Sequence, residues 1–149
     1  MATLTTNISE SITLNGSLRG STNTVTTTGI NDVFERIVTC TTAQTTVLAQ
    51  FATEPYTTAG AIDVDRTKYI RVTNLDLAAV VELAVVTTAT SYTVTLTAGQ
   101  SHILCQGAEV VLGEASTSPS FGTMQDLRGL QVKPVSTESP RIELFVGIE

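Results

Sequence analysis

KYIRVTNLDLAAVVELAVVTTATSYTVTLTAGQSHILC, residues 68–105, is the stretch that decides the fold. Tyr69-Ile70-Arg71-Val72-Thr73 is rich in β-branched residues and alternates apolar with polar, and Asn74-Leu75-Asp76 follows as a turn. Val80 to Val86 is a second apolar run, closed by Thr87 to Ser91. Tyr92-Thr93-Val94-Thr95-Leu96 alternates without a fault, the period of a strand with one buried face. Ala98-Gly99-Gln100 then turns the chain into His102-Ile103-Leu104-Cys105. The order predicts an antiparallel meander to which the other segments add strands. Leu77, Val80, Val81, Ala84 and Val85 also fit a helical face, but the run is short and Val-rich, so it reads as a strand.

Outward from this stretch the same period recurs. Leu4, Ile8, Ile12 and Leu14 fall on even positions among Thr, Asn and Ser, interrupted at Thr6 and Glu10. So long a terminal strand closes an edge of its own sheet or lies on a neighbouring subunit. Asn15-Gly16 breaks it as a turn. Ser17 to Thr28 is Ser, Thr, Asn and Gly around Leu18 and Val25, and reads as an exposed loop or loose arm. Val33 to Cys40 and Thr46 to Phe51 are strands, the second with Val47, Ala49 and Phe51 expected on one face. Ala52 to Thr67 is expected to be a loop crossing the end of the sheets.

After Cys105 the pattern weakens. Glu109 to Gly113 fits a short strand, Glu114 to Thr123 a loop, Leu127 to Val132 a strand with Leu130 and Val132 inward, and Pro134 to Pro140 a break. Ile142-Glu143-Leu144-Phe145-Val146 alternates cleanly, which pins the end of the chain inside a sheet. Eight to ten short strands with turns between them define an all-β fold, an antiparallel β-sandwich of jelly-roll type. Residues 1–32 form its N-terminal strand and arm and 33–149 the sandwich, one domain overall.

A chain of 149 residues is long enough to bury a core without disulfides or metals. Charged residues are only 15% and Thr accounts for 28 positions, so the surface is polar but weakly charged. A neighbour covers such a surface with little cost for desolvating ions. The net charge of −6, with two Lys and six scattered Arg, leaves no basic stripe for phosphates, so no nucleic-acid partner is expected. No apolar run approaches the roughly 20 residues of a membrane span, and no cationic start followed by an apolar stretch marks a signal peptide. The two sequons, at Asn7 and Asn15, carry no weight without such a signal.

Candidate chemistry is sparse. His102 is the single histidine; without a Gly-x-Ser-x-Gly elbow it reads as a sheet histidine with a structural hydrogen bond, sharing a face with Leu104. One His and two distant Cys make no zinc shell. Asp63 and Asp65 resemble the start of a calcium loop but lack the later ligands, and read as a solvated pair. No glycine-rich phosphate loop is present. Tyr56, Tyr69 and Tyr92 are the candidates for a sugar platform, against a reading as core or cross-strand packing. Cys40 and Cys105 lie in apolar runs and fit either a bond between strands or, in the absence of a secretory context, two buried thiols. No catalytic, cofactor-binding or metal-binding residues are expected, and no enzyme activity.

ITLNGSLRGSTNTVT (12–26), FERIVTC (34–40), KYIRVTNLD (68–76) and YTVTLTAGQSHIL (92–104) together carry a resemblance. In them the chain resembles small virion structural proteins of tailed bacteriophages of the marine and cyanobacterial type. The resemblance covers most of residues 12–104 and carries over no functional residue. It implies a bacteriophage virion protein made in the host cytoplasm, foremost a capsid decoration or cement protein on the capsid exterior. Its partners would then be the major capsid protein or another virion protein and further copies of itself, as a homo-oligomer with a trimer foremost. A tail or fibre-adaptor component and a carbohydrate-binding adsorption module are the alternatives.

Overall fold

A computed structural model describes residues 1–113, 121–135 and 137–149. The sandwich is all-β and built on two packed sheets. Its strands are β5 (Asp32–Thr39), β6 (Thr46–Ala52), β7 (Ala61–Asp63), β8 (Thr67–Asn74), β9 (Val81–Thr87), β10 (Ser91–Leu96), β11 (Ser101–Leu104), β12 (Leu127–Pro134) and β13 (Arg141–Ile148). One sheet runs β11-β8-β13-β5 and the other β10-β9-β12-β6-β7. All ladders in them are antiparallel save that between β6 and the short β7. The pairs β5–β13, β6–β12, β8–β11 and β9–β10 are nested in sequence, like the rungs of one long hairpin with its tip between β9 and β10.

This order corrects the meander expected over residues 68–105. β9 and β10 do form a hairpin, but β8 pairs with β11 and β13 and belongs to the opposite sheet. The chain changes sheets after Asn74 and again after Leu96. Alternation gives each run a buried face but does not say which sheet will bury it.

Even-numbered residues of β8 and β13 point inward: Ile70, Val72, Ile142, Leu144 and Val146 are all buried. The odd residues Val81, Leu83 and Val85 of β9 and Leu130 and Val132 with its neighbours on β12 meet them from the other sheet. Each such side chain contributes about 1.5–3 kcal/mol relative to exposure. On β6 the expected face is broken. A register shift opposite Leu130 and Gln131 makes both Leu48 and Ala49 face the core, and Val47 turns outward, 45% exposed. A bulge has this effect because an extra residue reverses the alternation beyond it.

Other expectations meet smaller corrections. Leu77 is exposed in the loop before β9, so that strand begins at Val81. Ala52 to Thr67 contains a single 3-10 turn, Pro55–Thr57, and β7. Residues 109–113 contribute one isolated bridge, Val111 to Gln125, rather than a strand. The loop expected over Glu114 to Thr123 lies outside the described residues except at 121–123. β13 lies between β8 and β5, inside its sheet as expected.

Candidate docking surface

The first thirty residues join neither sheet. β1 (Ala2–Ser9) pairs with β4 (Thr22–Ile30), and β2 (Ile12–Leu14) with β3 (Ser17–Arg19). The expected loop at Ser17–Thr28 is therefore the return half of a two-stranded ribbon. Its low apolar content hid it, because a ribbon that leaves the body buries little. The register Thr3↔Thr28, Ser9↔Thr22, Ile12↔Arg19 and Leu14↔Ser17 is one continuous pairing. Asn15 and Gly16 close it with φ of 51° and 77°, the positive-φ pair of a two-residue hairpin turn. At Gly20, φ is 131° and a Cβ would sit 2.0 Å from the Glu10 carbonyl oxygen, so only glycine fits there. A bulge at Gly29, between the pairs Ala2↔Ile30 and Thr3↔Thr28, bends the ribbon at its base.

The pairing gives the ribbon two unlike sides. One carries Leu4, Thr6, Ile8, Glu10, Ile12 and Leu14, with Val25, Ser21 and Arg19 opposite Thr6, Glu10 and Ile12. The other carries Thr3, Thr5, Asn7 and Ser9 against Thr28, Thr26, Thr24 and Thr22. Cross-strand bonds lace the hydroxyl side: Thr24 Oγ1 donates to Asn7 Oδ1 at 2.7 Å, and the Ser9 and Thr22 hydroxyls lie 3.0 Å apart.

The base of the ribbon rests on the outer face of the β11-β8-β13-β5 sheet. Leu4 and Ile30 contact the backbone at Gly147, where a Cβ would lie 3.3 Å from Ile30 Cδ1. Lys68 and Glu149 pair beside it at 2.8 Å, and this contact holds the Glu149 carboxyl below its ordinary range. Farther out, the ribbon and sheet diverge around an open groove of about 370 Å³, lined by Leu4, Ile8, Tyr69, Arg71, Ile103 and Phe145 among others. The groove floor is braced: Arg71 Nη1 bonds Glu143 Oε2 at 2.7 Å and donates to Thr73 Oγ1 at 2.6 Å. The guanidinium also lies 5.9 Å from the centre of the Phe145 ring. Beyond Ile8 the ribbon overhangs, and every residue from Asn7 to Thr26 is exposed. Ile12, Leu14 and Leu18 are 59%, 51% and 75% exposed.

The residues singled out in the sequence do not gather at one place. His102 points inward from β11, and its Nε2 lies 2.9 Å from the Tyr92 hydroxyl of β10. That hydrogen bond ties the two sheets at their shared edge, as a structural histidine would. Burial lowers the His102 pKa and raises that of Tyr92. Tyr69 packs edge-on against Phe145, ring centres 6.0 Å apart, beneath the ribbon. Tyr56 is the departure from the packing expected of the tyrosines: it stands 84% exposed on the 3-10 turn. Asp63 Oδ1 accepts the backbone N–H groups of Asp65 and Arg66, which makes it a turn residue. Among the described residues no group of three or more His, Cys, Asp or Glu is placed to hold a metal. Cys40 and Cys105 are both free thiols. Cys40 is buried, and its pKa is raised accordingly, whereas Cys105 is exposed, against the expectation of two buried thiols. No helix among the described residues is long and apolar enough to cross a membrane.

The fold and surface define a β-sandwich with a projecting, nearly uncharged ribbon. Comparison with known proteins adds no identity: no family model, no curated protein and no solved structure matches this chain.

Proposed function

We propose that this chain is a non-enzymatic structural protein of a tailed-phage virion, acting as a capsid decoration protein that stabilises the head through protein–protein contacts. The observation that carries the reading is the overhanging ribbon. An isolated two-stranded ribbon is marginal in water, and this one leaves Ile8, Ile12, Leu14, Leu18 and Val25 uncovered. Such a ribbon gains its stability when a neighbouring molecule covers it. The nested strand pairing further supports the winding of a jelly roll, in which one long hairpin is rolled into two sheets. The segment 12–26, on which the resemblance to phage virion proteins rests, includes the ribbon's turn and part of both its strands, and the resembling segment 34–40 covers most of β5. The working form is a homo-oligomer, foremost a trimer, on the capsid exterior, with the major capsid protein as its partner.

The test is reconstitution. Purified expanded heads lacking the protein are mixed with it, and bound copies and head melting temperature are measured. The reading expects saturable binding and a raised melting temperature, because a ligand that binds only the assembled shell stabilises it by mass action. Copurification with tails at low copy number, or binding of a glycan by the free protein, would replace this reading with one of the alternatives.

A further inference from the structure

We propose that the distal ribbon, Ser9–Thr22, seats its apolar side on the outer face of β5 in a second copy of this chain. The inference rests on the assembly reading above and names the two surfaces that meet.

The same chain carries an uncovered strip that fits the ribbon. On the outer face of the four-stranded sheet the ribbon lines its groove with residues of β8, β11 and β13. The β5 part stays open: Val33 is 45% and Ile37 57% exposed, with exposed Glu35 between them. The ribbon cannot reach its own β5. It starts at Gly147 on β13 and passes over β8 toward β11, away from β5. A second copy has no such restriction.

Spacing and charge both match. Ile12 and Leu14 are two residues apart on one side of the ribbon, as Val33, Glu35 and Ile37 are on β5, so both rows repeat at about 6.8 Å. Arg19, the ribbon's single cationic side chain, pairs with Ile12 on that same side and is the group that meets Glu35; Glu10, the single acidic one, shares the side one pair nearer the base, opposite Ser21, where it lies beyond the seat. Glu35 is in no ion pair among the described residues. Residues 1–31 contain one Arg and one Glu, so their side chains sum to zero, and the whole −6 of the chain falls on residues 32–149. Two acidic sandwiches repel at close range, but a neutral ribbon crosses that gap without a like-charge penalty. Each copy then gives one ribbon and receives one. That contact is head-to-tail and satisfies every subunit when it closes into a ring.

The test uses the full chain in sedimentation velocity and native mass spectrometry. The wild type is expected to be oligomeric. Ile12→Asp with Leu14→Asp should weaken association by about a hundredfold. Arg19→Glu and Glu35→Arg should each weaken it by about tenfold, and the two together should recover most of the loss. All four positions are exposed, so the thermal unfolding of the monomer should stay unchanged. A monomeric wild type overturns the proposal, as does an oligomer indifferent to Ile12→Asp with Leu14→Asp. Single charge variants that weaken assembly without mutual rescue overturn β5 as the seat. The two readings separate cleanly. A monomer that still saturates heads sinks this inference alone, and a ribbon-dependent oligomer that ignores heads sinks the decoration reading alone.

Discussion

Replacing Asn74 with Ala should cost this fold about as much as losing a large core side chain. Asn74 is fully buried at the end of β8, where the chain leaves one sheet for the other. Its amide nitrogen donates to the carbonyl oxygens of Ala79 at 2.8 Å, Leu96 at 3.1 Å and Thr97 at 3.2 Å. Its Oδ1 accepts the N–H of Asp76 at 3.1 Å. One carboxamide thus holds the loop that leads into β9 and the end of β10, two strands of the opposite sheet. Ala at this position strands the buried carbonyls of Ala79 and Leu96, at about 1–3 kcal/mol each, while Thr97 lies nearer water. The sum is about 3 kcal/mol, or about 6–12 °C in melting temperature for a chain of this size. Asn74→Asp sharpens the test. A carboxylate there faces three carbonyl oxygens, which raises its folded-state pKa above the unfolded value of about 3.9. A raised acid pKa means the variant is least handicapped when protonated, so its deficit should grow as pH rises from about 4 toward neutrality. Urea unfolding with equal m-values, repeated across pH, measures both effects. Asn74→Ala within about 0.5 kcal/mol of the wild type, or a flat pH response of Asn74→Asp, would refute this reasoning.

The remaining predictions concern the core, the sheet edge, the ribbon and the thiols. Leu144→Ala, in the centre of the sandwich, should cost about 2–5 kcal/mol by denaturant unfolding, and a cost near zero would misplace the core. His102 has its pKa lowered from 6.5 by burial, so the unfolded chain takes up the proton first. Stability from this group is complete above about 6.5 and is lost as pH falls through the folded value. His102→Phe should remove that slope, and an unchanged slope would contradict the placement. Gly20→Ala should disorder the distal ribbon, visible as faster amide exchange in residues 9–22, with the sandwich melting temperature unaltered. A thiol reagent should label Cys105 in the native protein and Cys40 only on unfolding; equal rates would argue against their observed environments.

The strands were legible wherever one face is buried and the other wet. Ile142 to Val146 reads correctly because its alternation follows directly from the pleat, and Leu130 and Val132 face inward as expected, but a register shift between Leu127 and Gly129 turns Leu127 inward as well. Sheet partnership was not legible. Asn74 looks like an ordinary turn residue in sequence, and only its three carbonyl partners mark it as the corner between sheets. The bulge at Leu48 was equally hidden, since Val47-Leu48-Ala49 are all apolar and either register satisfies the pattern. Of the ribbon, the sequence offered its first half and its turn: the even-numbered stripe from Leu4 to Leu14 and the Asn15-Gly16 pair. The returning strand escaped because Thr, Ser and Asn fill it, and such residues signal a loop unless a paired partner is already in view. The strip at Val33, Glu35 and Ile37 reads in sequence as half a strand, with nothing to say that its outer side is left uncovered.

The proposed decoration role requires contact between this ribbon and another molecule of the virion. The most direct measurement is the number of copies in purified virions, by quantitative mass spectrometry, for the wild type and for Ile12→Asp with Leu14→Asp. A decoration protein is expected in proportion to the shell lattice for the wild type, with a steep loss for the variant. A wild type found at tail stoichiometry, or a variant retained as fully as the wild type, would contradict it.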